Sequence, residues 1–147
     1  MVEGVVNFTK VDATVACGGE TSHEAIAALA SQGFTSVVNL RQATEPGVPE
    51  EAAVVEGAGL RYFHLPMNPN APEADTADRF LEVVADTSNQ PVYIHCASAN
   101  RVGAVWAIKR VVQDGWTREQ AITEAQAIGM KSPVMLDFVT RYLDARG

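Results

Sequence analysis

Basic residues are scarce in this chain. Eleven Lys and Arg face eighteen Asp and Glu, for a formal charge of −7 and a pI near 4.8. A nucleic-acid binder needs a basic face to neutralise phosphates, so this balance argues against nucleic-acid partners. A small anion stays open as a ligand, provided local donors hold it against the global field. Cysteine is nearly absent. Cys17 and Cys96 are too few for a disulfide framework and fit a reducing, cytoplasmic compartment. Cys-x-x-Cys and His-x-x-His spacings are missing, so neither a metal site nor a cofactor is expected. No apolar run reaches the length of a membrane span, which argues against a membrane partner. The first four residues have neither the basic flank nor the apolar stretch of a secretory signal.

What is present is globular composition. The chain has 147 residues, 47% hydrophobic and 20% charged, enough for one domain over 1–147 with a core that needs no staples. Strand-like runs alternate with helical patterns, predicting an α/β fold. Residues 11–16 read as one strand closed by Gly18-Gly19, and Thr21 with Glu24 has capping-box spacing for the helix that follows. Residues 34–40 are the next strand. Pro49-Glu50-Glu51 then opens a helix whose acids read as a solvated first turn. Residues 60–65 form a third strand. The proline-rich loop after it leads to a helix that Asp75 can cap, with Phe80, Val83 and Val84 on its apolar face.

Residues 91–95 are short and apolar, the pattern of a central buried strand. Residues 101–113 are apolar almost all round, as in a helix in the middle of a protein. Thr117 and Gln120 form a second capping box. The last helix starts at Ser132-Pro133 and is expected to bury Val134, Leu136, Phe138, Val139, Tyr142 and Leu143. If the strands at 34–40, 60–65 and 91–95 run parallel, their C-terminal ends share one edge, where open α/β sheets bind ligands. That edge gathers Arg41, the loop from Asn68 to Asp75, and residues 96–101.

The last of these segments carries the chemistry. In His95-Cys96-Ala97-Ser98-Ala99-Asn100-Arg101 a cysteine ends a buried strand, small residues turn the chain, and a helix begins. Successive amides of such a turn converge on an anion. The helix N-terminus and an arginine in its first turn add positive potential. All three favour thiolate at Cys96. Arg41, after the second strand, either faces this site or pairs with Glu45 on the surface. Cys17 reads as a structural core thiol, His64 as a hydrogen-bonded core residue, and Trp106 and Trp116 as core anchors.

His95-Cys96 with Arg101 resembles the motif of cysteine-dependent protein tyrosine and dual-specificity phosphatases. VNLR at residues 38–41, HLP at 64–66 and the two closing helices fall in matching order over most of the chain. In particular it resembles bacterial phosphatase-like domains found alone or fused to metallo-β-lactamase-like hydrolases. The resemblance implies a central, mainly parallel sheet flanked by helices, and hydrolysis of a phosphomonoester through a phosphocysteine. It implies Cys96 as nucleophile, Arg101 as phosphate clamp, His95 as a residue orienting the loop, and the amides of Ala97, Ser98, Ala99, Asn100 and Arg101 as cradle. It places the general acid on the loop after HLP, where Asn68 stands first and the nearest acids are Glu73 and Asp75.

Two further features shape the expectation. Four residues separate Cys96 from Arg101, where the phosphatase pattern has five, and Val102 replaces the usual hydroxyl residue. The six-residue loop also resembles that of rhodaneses, Cys-x-x-Gly-Asn-Arg, with Ala99 in place of glycine. That opens persulfide transfer as an alternative, and a non-catalytic oxyanion-binding domain as a third. The expected partner is a small phosphorylated or sulfur-containing anion, or a phosphoprotein. The residues do not determine the oligomeric state.

Overall fold

The computed structural model describes Val5 and residues 8–146; the stretch Met1–Gly4, read for a leader, lies outside them. The elements are β1 (Thr9–Asp12), β2 (Val15–Gly18), α1 (His23–Ala28), β3 (Ser36–Asn39), α2 (Val48–Gly57), β4 (Arg61–His64), α3 (Ala74–Ala85), β5 (Val92–His95), α4 (Asn100–Val112), α5 (Arg118–Ile128) and α6 (Pro133–Arg146). The sheet order is β1-β2-β5-β3-β4. All neighbours run parallel except the β1–β2 pair. The expected parallel sheet with helices on both faces is present, and the 91–95 run is its central strand.

The layers follow from the period-2 alternation of the strands. Cys17, Val38 and Ile94 belong to the larger cluster, with residues of α3, α4, α5 and α6. Ala16, Val37 and Tyr93 belong to the smaller one, with residues of α1 and α2. Both faces of β5 are thereby buried, which is why it is apolar throughout. Residues 101–108 of α4 are all buried, as its composition predicts. No helix among the described residues is long and apolar enough to cross a membrane.

Several local expectations are corrected. The single strand at 11–16 is a hairpin instead. Asp12 Oδ1 accepts from the Thr14 amide and hydroxyl at 2.7 and 2.6 Å, an Asx turn that reverses the chain. Ser22, not Thr21, caps α1 by accepting from the Ala25 amide at 3.1 Å. Thr21 is drawn inward, its hydroxyl 2.6 Å from Tyr93 Oη and 3.0 Å from the Gly19 carbonyl. Asp75 does not cap α3: Glu73 holds that position without a side-chain bond, and Asp75 pairs with Arg79 instead. Val134 and Leu136 are exposed at 38% and 37%, while Met135 between them is buried. The Thr117–Gln120 capping box forms in both directions.

Candidate active site

Backbone bonds align the strand ends that form the site. The Leu40 amide donates to the His95 carbonyl at 2.9 Å, the Leu65 amide to the Asn39 carbonyl at 2.9 Å, and the Cys96 amide to the Gly18 carbonyl at 3.3 Å. Residues 19, 40, 65 and 96 are thus brought to one level at the C-terminal edge. The β2–α1 loop presses on the cysteine loop, with the Glu20 amide 2.6 Å from the Ala97 carbonyl. A Cβ at Gly19 would lie 2.5 Å from that same carbonyl oxygen, so this approach requires glycine.

The loop at 96–99 turns directly into α4. Cys96 and Ala99 have no exposed surface, Ala97 and Ser98 are exposed, and Asn100 is half-buried. Asn100 pins the loop from the far side. Its Oδ1 accepts from the amides of Lys131 and Ser132 at 2.5 and 2.8 Å, joining the α5–α6 connection to the site. Ala99 holds φ 72° and ψ 6°, a left-handed conformation that costs about 1–2 kcal/mol in a residue with a Cβ. Ala99→Gly removes that strain and loses one buried methyl, worth about 0.8 kcal/mol. The expected net is a gain of about 0.5–1 kcal/mol, read as a melting temperature raised by about 2–4 °C. A lower melting temperature would contradict this account of the turn.

Arg101 is buried under the strand ends. Nη1 donates to Glu45 Oε2 at 2.8 Å and to the Met67 carbonyl at 3.1 Å, with the Leu40 carbonyl at 3.5 Å; Nη2 donates to Glu45 Oε1 at 2.9 Å. A guanidinium has five N–H groups. This arrangement leaves Nε–H and one Nη2–H for the sulfur and any anion it faces. Burial lowers the Arg101 pKa, but the Glu45 bond, the charge on Cys96 and a hydrogen bond to Cys96 together raise it above its ordinary value.

Glu45 is the counterpart. Burial pushes its carboxyl up, but the Arg101 bond, the Gln42 amide and the charges of Arg101 and Arg41 outweigh that and hold it down at about 2. A carboxyl held below its unfolded value of 4.5 contributes stability that is complete above that pH and is lost as pH falls towards 2. Melting temperature is therefore expected to decline between pH 4.5 and 2, and more shallowly in Glu45→Gln. Equal slopes would show that the bracket contributes nothing.

Arg41 pairs with Glu45, but not on the surface: it is 5% exposed and its Nε lies 3.5 Å from Glu45 Oε1. His64 supports it, with Nε2 at 2.6 Å from the Arg41 carbonyl. His95 is fully buried, and its Nε2 lies 2.6 Å from Glu51 Oε2; Glu51 is itself 1% exposed. The reading of Glu51 as solvated is thus wrong. Glu45 and Glu51 are the residues that pattern reasoning missed. The spacing of Arg41 and Glu45 was visible, but nothing local announced Glu51.

Asp75 is engaged by its own helix. It sits in the first turn of α3 with its side chain 68% exposed, 3.0 Å from Arg79 Nε. Glu73 is also exposed. Cys17 is fully buried on β2, where burial first and neighbouring Cys96 second raise its thiol far above the ordinary value. That makes it an inert core thiol. Among the described residues no cluster of three or more His, Cys, Asp or Glu could hold a metal ion.

Known proteins share this architecture. A DUF442 protein from Shewanella putrefaciens CN-32 superposes with a TM-score of 0.82 at 18% identity, covering 99% of this chain and 96% of that one. The core catalytic domain of the PP-IP phosphatase Siw14 from S. cerevisiae, crystallised with citrate, gives 0.80 at 20%, covering 97% and 88%. TpbA of P. aeruginosa, in complex with pTyr, gives 0.76 at 20%, covering 95% and 86%. In sequence, the chain is similar to the β-lactamase hydrolase-like protein of Xylella fastidiosa, 27% identical over 129 residues and 84% of this chain. It is also similar to the probable chloroplastic NAD kinase 2 of Oryza sativa subsp. japonica, 32% identical over 82 residues and 53% of this chain. The chain spans only 28% and 8% of the lengths of these two relatives. Residues 3–138 match the model of the DSP-PTPase phosphatase fused to NAD+ kinase, and with the strand order and the cysteine–arginine loop in place, the chain belongs to that phosphatase family.

Proposed function

We propose that the chain hydrolyses a small phosphomonoester through a phosphocysteine on Cys96. The observation that carries this reading is the arrangement of Arg101: one side of its guanidinium is committed to Glu45, and the remaining N–H groups are left beside the sulfur. A phosphoryl group bound there would be clamped by those two N–H groups and by the amides of residues 97–101. The sulfur lone pair attacks phosphorus as the bond to the leaving oxygen breaks. Water then takes the phosphoryl group from sulfur and returns the thiolate. Proteins of similar fold form complexes with pTyr and with citrate, both anions, which supports an anionic ligand. Cys96 has no exposed surface, and an anion would approach it past the exposed Ala97 and Ser98.

The leaving group's proton would come from Asp75 on the β4–α3 side of the edge. Its ion pair with Arg79 would then have to open, so leaving groups that need no proton should be favoured. Val102 offers no hydroxyl to help the thiolate depart.

A second reading is persulfide transfer, favoured by the shortened loop. One residue fewer removes up to about 3.5 Å of contour and one amide donor, so a single sulfur atom fits more easily than a phosphoryl group. Cys96 would take the sulfane sulfur of thiosulfate as its S–S bond breaks and sulfite leaves. The two are separated by assaying aryl and alkyl phosphates and by weighing the protein after thiosulfate treatment. Aryl phosphate turnover, with alkyl phosphate turnover lower and further reduced by Asp75→Asn, supports the phosphatase. A mass gain of one sulfur on Cys96 without phosphate release supports the transferase.

A further inference from the structure

The phosphomonoester reading leaves Arg41 without a task. Its side chain is 7% exposed, and its Nε is buried with no hydrogen-bond partner among the described residues. The 3.5 Å approach to Glu45 is an ion pair across a gap, not a bond. Burying a guanidinium with a donor unsatisfied is costly, and a ligand that supplied an acceptor would complete the set. One carboxylate is shared between two guanidinium groups here, and of the two it is hydrogen-bonded to Arg101, so Arg41 has no bonded anion of its own.

The placement is specific. Glu45 Oε1 is shared: it lies 2.9 Å from Arg101 Nη2 and 3.5 Å from Arg41 Nε. The two guanidinium groups are therefore a single carboxylate oxygen apart. Arg41 also lines an open cavity of about 280 Å³ with Ser22, His23 and Gly47. His23 is anchored there through its Nε2, 3.0 Å from the Gly47 carbonyl. The wall opposite belongs to the β2–α1 loop, the segment that contacts the Ala97 carbonyl through the Glu20 amide. The cavity thus borders the cysteine loop. Glu20, exposed on this wall, carries the opposing charge.

We infer that Arg41 and this cavity form a second anion subsite, and that the substrate is a phosphomonoester bearing another phosphate or carboxylate close to the scissile group. Arg101 takes the phosphoryl group at Cys96, and Arg41 takes the neighbouring anion. This rests on the oxyanion reading of Cys96 and Arg101, and the test separates the two.

Calorimetric titrations of the full chain compare methylphosphonate with methylenediphosphonate, which differ by one anionic group. The diphosphonate should bind about tenfold more tightly or better, the worth of one added charge-assisted contact. In Arg41→Gln that ratio should fall towards one. In Glu20→Gln, which alters only an exposed side chain, it should widen, and this variant carries the test if Arg41→Gln does not fold. Equal affinities in the native protein, a ratio that survives Arg41→Gln, or one that does not widen in Glu20→Gln would overturn the second subsite while leaving the first standing. Failure of both phosphonates to bind would overturn the oxyanion reading itself, and the subsite with it.

Discussion

Cys96→Ser is expected to bring turnover to background, a loss on the order of 10⁴-fold or more, since removing a nucleophile disables every step that passes through it. The substitution is nearly isosteric, and the site is fully buried. The Cys96 amide bond to Gly18 is a main-chain bond and survives the change. The serine variant should therefore keep its melting temperature within a few degrees and still bind oxyanions through Arg101. Arg101→Ala separates binding from chemistry in the other direction. It strands Glu45, removes the clamp and weakens oxyanion binding first. Calorimetry with phosphate and a steady-state assay on both variants check this. Residual turnover above a hundredth of native in Cys96→Ser would move the nucleophile elsewhere. Cys17 would then be the remaining thiol, yet burial makes it a poor candidate.

The second large effect concerns stability. Glu51→Ala leaves the buried His95 ring without the hydrogen-bond partner it has among the described residues. The ring's Nδ1 already has none among the described residues. Losing a buried hydrogen-bond partner and leaving a cavity where its side chain stood together cost about 2–4 kcal/mol. For a chain of this size the melting temperature should fall by roughly 10 °C. Glu51→Gln keeps a hydrogen-bonding end and should lose less. The double replacement Glu51→Leu with His95→Phe should recover part of the loss, since two apolar groups of similar volume leave nothing unpaired. Turnover should fall in Glu51→Ala as well, because His95 directly precedes Cys96 and its ring stacks on Tyr93 at 5.7 Å. A thermal melt of the three variants decides the matter. A loss under about 1 kcal/mol in Glu51→Ala would mean that the pair is held by packing alone.

The run at 91–95 reads as a buried central strand because nothing polar interrupts it before His95, and it is central. The capping box at Thr117 reads correctly because both partners lie within four residues and need no other part of the chain. Thr21 misleads because its hydroxyl had two possible fates: a local cap or a bond to Tyr93, 72 positions away. The tertiary partner won, and Ser22 took the cap. Asp75 misleads in the same way, since α3 begins one residue before it and Arg79 takes its carboxylate.

The sequence by itself determined the alternation of strands and helices, the central buried strand, the cysteine at its end and the arginine in the first turn of the next helix. These follow from periodicity and turn chemistry, which act over a few residues. Only the tertiary structure decided which acids matter. Glu45 meets Arg101 across 56 positions and Glu51 meets His95 across 44, because parallel strands joined by helices carry distant chain segments to one edge. An acid in a helix's first turn is ordinarily solvated. Glu51 is buried because α2 packs on the face of β5 from which His95 projects, and that ring gives its carboxyl group a hydrogen-bond partner.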